Sequence, residues 1–171
     1  MTHIFDELSI EELKSLVKLY AKNIYALDGV WFQSVEAEDG MEQAMFHDRE
    51  AWKRFTRTEA KRIKRFLNLP ERAGLEGLEK ALAIRFSALA NPSVDIIRKE
   101  QELIYRVNEC RVQSARKNKG MPLHPCSSVG FIEHEGFAKV IDERILTETV
   151  SCYPETTDET CACCWRFTLK D

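Results

Sequence analysis

No apolar run in this chain of 171 residues approaches the roughly 20 needed to cross a bilayer. The opening stretch, MTHIFDELSIEEL, has no basic segment and no small-residue cleavage site, so no signal peptide is expected and a cytoplasmic location is. An excess of positive charge is missing too. A formal net charge of −3 and an isoelectric point near 5.9 argue against nonspecific nucleic-acid binding as the main activity. There is no glycine-rich phosphate loop, no HExxH and no GxSxG, which argues against classical nucleotide hydrolysis, zinc-peptidase and α/β-hydrolase chemistry. Internal repeats, low-complexity tracts and long disordered linkers are absent as well. A composition 44% hydrophobic and 31% charged then fits one soluble globular domain, or two halves sharing a core.

What is present begins with helix signals. Ser9 followed by Glu12 is a capping box, in which two side chains satisfy N–H groups that have no partner at a helix start. Leu13, Leu16, Val17, Tyr20, Ile24, Leu27 and Trp31 then recur at helical spacing. Gly29 is a candidate kink, and Asp39-Gly40 is the expected end. A second helix is expected over about 41–68, with Met45, Trp52, Phe55, Ile63, Phe66 and Leu67 as its core side, stopped by Pro70. A third is expected over about 75–89 through Leu75, Leu78, Leu82 and Phe86, stopped by Asn91-Pro92.

After Pro92 the period changes. Val94 and Ile96, then Leu103, Tyr105 and Val107, alternate with polar neighbours, as in a half-buried antiparallel hairpin. A basic helix over 111–119, a short helix over 130–142 through Phe131, Phe137, Ala138 and Ile141, and strands over 144–152 and 163–169 complete the reading. The expected class is α+β: a helical half, 1–92, packed on a cysteine-bearing half, 93–171, with about four antiparallel strands and inserted short helices.

Four of the six cysteines fall within CYPETTDETCACC at 152–164. In a reducing compartment such a cluster reads as thiols or metal thiolates before it reads as disulfides, although a lone cysteine is most often a small buried residue. Cys110 ends one expected strand, Cys126 follows the basic helix, Cys152 ends the third strand and Cys163 begins the fourth. The end of one antiparallel strand lies beside the start of the next, so Cys152 and Cys163 meet. If the Cys110 strand neighbours theirs and the loop carries Cys126 over, four thiolates converge, which suits tetrahedral zinc or an iron–sulfur cluster. Cys163 and Cys164 point to opposite faces, whereas Cys161 shares the face of Cys163. Cys161 and His124 are therefore the substitute ligands.

Five stretches carry a family resemblance: DGVWFQSVE at 28–36, EAKRIKRFL at 59–67, CRVQSARKNKG at 110–120, GFAKVIDERI at 136–145 and the terminal C-x-W-x-F. From Asp28 onward the chain resembles an uncharacterised family of prokaryotic cytosolic proteins. Its last part is more distantly similar to the L-2-amino-thiazoline-4-carboxylate hydrolase family and to the vinyl-reductase domain, a small-molecule-binding fold that closes on a similar cysteine motif. The first resemblance implies Cys110, Cys126, Cys152 and Cys163 as the ligand set, leaving Cys161 and Cys164 as extras. The chain departs from that family in the loop YPETTDET, where proline-rich turns are usual.

Other candidates have plainer readings beside them. The stretch ARKNK at 115–119, with Arg111, could hold an anion, or be a solvated helix face. Arg54, Arg57, Lys61 and Arg65 fall at helical spacing and could track phosphates, against the acidic whole. His47 and His134 could serve a thiol or a metal, or be surface and core histidines. Trp31, Phe32, Trp52 and Phe55 could line a small-molecule pocket, or be core. Two functions follow as expectations: a zinc-stapled protein that binds or senses a small molecule, and a hydrolase of a small cyclic amide or thiazoline-carboxylate. A homodimer through the aromatic-rich helices is a further expectation.

Overall fold

The computed structural model describes residues 3–170; Met1, Thr2 and Asp171 lie outside the described residues. A single turn, α1 (Ile4–Glu7), precedes α2 (Ile10–Phe66), which starts at the expected capping box. Ser9 N–H donates to Glu12 Oε2 (2.8 Å), and Glu12 N–H donates to Ser9 Oγ (3.2 Å). Helical geometry runs through Gly29 without a kink and fails at Gly40, whose φ of 83° and ψ of 171° belong to glycine. The span is thus two arms, one on either side of Gly40. Trp31 on the first arm meets His47 on the second, ring centroids 6.1 Å apart, so the chain folds back there.

The expected third helix is two. The apolar stripe Leu75, Leu78, Leu82 and Phe86 is buried as the spacing implies, yet α3 (Gly74–Ala83) stops before α4 (Phe86–Ala90). Arg85 between them takes an extended conformation (φ −61°, ψ 146°), and its guanidinium is fully buried. Arg85 Nη2 lies 2.9 Å from Glu59 Oε2 on the second arm of α2 and 2.7 Å from Glu133 Oε1. Two carboxylates distant in sequence hold this cation inside, and the local helix gives way to deliver it.

Strands β1 (Ser93–Arg98), β2 (Glu102–Glu109), β3 (Ile145–Cys152) and β4 (Cys163–Leu169) form one antiparallel sheet in the order β1-β2-β4-β3. Between them lie α5 (Arg111–Asn118) and α6 (Ser127–Ile141). The α+β class expected from the sequence is the fold. On β2 the alternation puts Leu103, Tyr105 and Val107 inward, and on β4 Trp165 and Phe167 face the same core. There they meet Leu78 and Leu82 of α3 and Phe137 and Ile141 of α6, all fully buried, each such side chain contributing about 1.5–3 kcal/mol. A second cluster joins both arms of α2 to α4 through Phe32, Met45, Trp52 and Phe86. One expected core residue is not core: Phe66 is 77% exposed at the end of α2. Asp142, fully buried at the end of α6, accepts from Gly74 N–H (2.9 Å) and from the Arg144 guanidinium (2.8 and 3.0 Å), fixing α3, α6 and β3 together.

Candidate functional site

Between the arms of α2, the inner face of the sheet and α6 lies a cavity of about 360 Å³. Tyr25, Asp28 and Phe32 come from the first arm, Asp48 and Trp52 from the second, Tyr105 and Val107 from β2, and Trp165 from β4. α6 adds Val129, Gly130, Glu133 and His134. Volume and mainly apolar walls both fall in the range of small-molecule sites.

All four sequence-nominated cysteines line this cavity: Cys110, Cys126, Cys152 and Cys163. Cys110 directly follows β2 and precedes α5; Cys126 directly precedes α6. Cys152 and Cys163 are Cα partners in the β3–β4 ladder. Ser127 N–H donates to the Tyr153 carbonyl (3.0 Å), which brings the start of α6 against the end of β3, and Cys126 Sγ stands 3.7 Å from Cys152 Sγ. Strand alternation sorts the rest. Cys164 pairs across to Arg106 on the other face of the sheet, and Cys161 sits in the preceding loop, its thiol 3.8 Å from the Asp158 carbonyl.

The chemistry of the donors fits a thiolate-bound cation. Two sulfurs 3.7 Å apart are at the edge length of a tetrahedron with Zn–S bonds of about 2.3 Å. Among the described residues, however, no three of His, Cys, Asp and Glu stand in an arrangement that would hold a metal ion. Burial pushes the Cys110 thiol up to about 12. Cys126 is held below the ordinary thiol range, first by the hydrogen bond from Cys152 and then by His124, against burial. The Cys152 thiol is pushed up because it keeps the proton it shares with Cys126 and Cys163.

His124, a substitute ligand in the sequence reading, has a partner that reading did not foresee. Its Nε2 is 3.1 Å from Asp48 Oδ2, both side chains are buried, and its ring lies against Phe32 with centroids 4.6 Å apart. Burial alone would lower its pKa, but Asp48 and then Cys126 overcome that and raise it to about 9. Gln113 holds the same loop: its amide exchanges two hydrogen bonds with the His124 backbone (2.8 and 3.0 Å) and donates to Cys126 Sγ (3.4 Å). No motif announces Asp48 or Gln113. Their only sequence signal is a polar residue beside an apolar stripe.

The other candidates separate cleanly. His134 is buried, donates from Nδ1 to the Gly130 carbonyl (2.8 Å) and stacks on Trp165 with centroids 4.5 Å apart. Burial, with Arg85 nearby, lowers its pKa to about 3, so it is neutral at pH 7. His47 is exposed beside Trp31 and Phe46. Phe32 and Trp52 line the cavity, while Trp31 faces outward. The basic stretch is not an open anion site: Arg116 is buried and makes bidentate bonds of 2.7 and 2.6 Å to Glu36. Arg111 donates from Nε to the Ala90 carbonyl (2.9 Å). Asp28, by contrast, is raised to about 7, first by burial and then by Asp48 and Glu133.

The model of a family of unknown function, DUF6125, matches residues 6–169, and the chain belongs to that family. Neither a comparison with curated proteins nor one with solved structures finds a match, so the likenesses to the thiazoline-carboxylate hydrolase family and the vinyl-reductase domain gain no support there. Among the described residues, no helix is long and apolar enough to cross a membrane.

Proposed function

We propose that this protein binds a small, largely apolar and uncharged molecule in its central cavity, and that zinc held by Cys110, Cys126, Cys152 and Cys163 staples the cavity wall. The observation that supports the reading is that four cysteines from four separate segments line one 360 Å³ cavity, with the Cys126 and Cys152 sulfurs 3.7 Å apart. Zinc there would tie the start of α5, the start of α6 and the β3–β4 ladder together, and four thiolates would leave it no open position. Such an ion supports folding; it does not perform a reaction.

The walls describe the ligand. Trp165 Nε1, Tyr105 Oη and His134 Nε2 are buried on this cavity without a hydrogen-bond partner among the described residues. Leaving such atoms unpaired costs about 1–3 kcal/mol each, so a ligand that meets them gains affinity. Trp165 offers a donor, and a neutral His134 bonded through Nδ1–H offers an acceptor. A molecule with a carbonyl or ether oxygen and one N–H or O–H group, flat enough to lie between Phe32, Trp52 and Val129, satisfies both. Binding or sensing is the role that follows.

The test is elemental analysis, with an absorption spectrum, of protein purified without chelator or histidine tag. About one zinc per chain is expected, with the metal lost in Cys152→Ser and Cys163→Ser. Brown, iron-bearing protein would move the case to an iron–sulfur cluster; no stoichiometric metal in fresh, reduced protein refutes the site.

A second reading rests on the line Asp48–His124–Cys126. A thiolate at the start of α6, beside a histidine held charged by a carboxylate, has the parts of a cysteine nucleophile. Cys126 Sγ would attack the carbonyl carbon of a cyclic amide, the ring C–N bond would break as His124 protonates the departing nitrogen, and water would hydrolyse the resulting thioester, freeing a carboxylate and the Cys126 thiol. The readings compete for one sulfur. In metal-free protein this one calls for selective alkylation of Cys126 by iodoacetamide at pH 6, lost in Asp48→Asn; labelling of the half-buried Cys110 and Cys163 equal to that of Cys126 rejects it.

A further inference from the structure

The first arm of α2 carries a second apolar stripe that the described residues leave largely uncovered. Ile10, Leu13, Val17, Tyr20, Ile24, Leu27 and Trp31 follow one another at intervals of three and four without interruption. A strict 3–4 alternation is a period of 3.5, the repeat that keeps one helix face against a partner helix over several turns. Every one of the seven is exposed, from 36% for Leu13 to 74% for Leu27. The body of the protein uses a different face of the same arm, where Ala21 and Phe32 are buried and Tyr25 and Asp28 look into the cavity. Before Ala21 no described residue of α2 is fully buried, and Leu16 is half-buried.

We infer that this stripe is a two-stranded coiled-coil seam and that its occupant is the same stripe of a second copy of the chain. The residue types fit two strands. In the heptad the a positions hold Ile10, Val17, Ile24 and Trp31, and the d positions hold Leu13, Tyr20 and Leu27, so five of the seven are aliphatic. Branched residues at a with leucine at d favour dimers over higher assemblies. The area fits as well: seven side chains with this exposure offer roughly 700–800 Å² per copy, against about 800 Å² per partner in a standard stable interface. An isolated helix of about a dozen residues is marginal in water, so a projecting arm with two apolar faces needs the second one covered. A lipid surface is the weaker match, because the polar side mixes Glu11 and Glu12 with Lys14, Lys18 and Lys22 and is not a basic face. Since the arm also supplies Tyr25, Asp28 and Phe32 to the cavity, pairing fixes a cavity wall from outside.

The test is sedimentation equilibrium of the full chain at micromolar concentration, with Val17→Glu/Leu27→Glu as the seam variant and Phe66→Glu, exposed on the other arm, as the control. Wild type and control are expected at twice the single-chain mass of 19.8 kDa, and the seam variant at 19.8 kDa with an unchanged far-ultraviolet spectrum apart from fraying of the arm. If the double variant does not fold, Leu27→Ser is read instead, with dimer dissociation at a concentration at least about tenfold higher than wild type. A wild type of single-chain mass at every concentration overturns the inference, and so does a seam variant that stays dimeric. A monomer that binds phosphatidylglycerol vesicles through this arm overturns it in favour of a lipid surface.

Discussion

Replacing Arg85 with methionine removes the cation that Glu59 and Glu133 share, while keeping an apolar side chain of similar length in the core. In the wild type, Arg85 Nη2 donates to Glu59 Oε2 at 2.9 Å and forms an ion pair with Glu133 Oε1 at 2.7 Å, and the guanidinium lies over the Phe137 ring at 4.3 Å. Glu59 and Glu133 are only 10% and 12% exposed, so the variant strands two nearly buried carboxylates. Breaking a buried ion pair from one side costs about 3–5 kcal/mol. For a chain of this size, at roughly 2–4 °C per kcal/mol, the melting temperature should fall by about 6–20 °C at pH 7. The loss must also depend on pH. Burial already raises Glu133 above its ordinary range against the pull of Arg85, and without the cation it rises further, so its uncharged form is favoured in the fold. Stability from such a group is present below the unfolded value of about 4.3 and lost as pH rises through the folded pKa, and the gap to wild type should narrow toward pH 4. Arg85→Met/Glu59→Gln/Glu133→Gln should recover much of the loss at pH 7. Thermal melts followed by circular dichroism at pH 7 and 4.5 read all of this. A fall of less than 2 °C at pH 7, or a gap that stays constant with pH, would show that the triad does not hold α4 in place as argued.

Two further perturbations probe the cavity wall. His134 is neutral in the fold with its pKa lowered to about 3, so the unfolded chain takes up a proton below its usual value of about 6.5 and the fold does not. Stability should therefore decline as pH falls below 6.5, by about 2 kcal/mol at pH 5 from this group, and urea titrations of His134→Gln should lack that share. An unchanged difference between pH 7 and 5 would count against a buried neutral histidine. Gly130→Ala would put a methyl 2.6 and 2.9 Å from the Cζ2 and Cη2 atoms of Trp165, a ring that is fully buried. The ring must shift, at a cost of about 1–3 kcal/mol, and the near-ultraviolet circular dichroism of tryptophan should change with it. A variant as stable as wild type with an identical spectrum would mean the wall is looser than the contacts imply.

Local pattern carried the class of this fold and the place of its thiols. The Ser9–Glu12 box, the break at Gly40, the alternation on β2 and the buried stripe Leu75, Leu78, Leu82 and Phe86 are all written within a few residues of where they act. Cys152 and Cys163 meet because an antiparallel ladder puts a strand end beside the next strand start, which needs only two correctly placed strands. The 3–4 stripe of the first arm was equally legible as helical spacing; that it faces solvent was not, because a stripe of this kind does not say what covers it. Tertiary structure decided the rest. Arg85 interrupts a helix of sound local propensity because Glu59 and Glu133, 26 and 48 positions away, give its charge a home inside. Arg116 left the basic surface for Glu36, 80 positions off, and His124 took its charge from Asp48, 76 positions off. Pairings of buried charges depend on which segments come to share a low-dielectric space, and no periodicity of 2 or 3.6 residues records that. Sequence determined which face of each element is apolar; only the packing determined which polar groups those faces enclose.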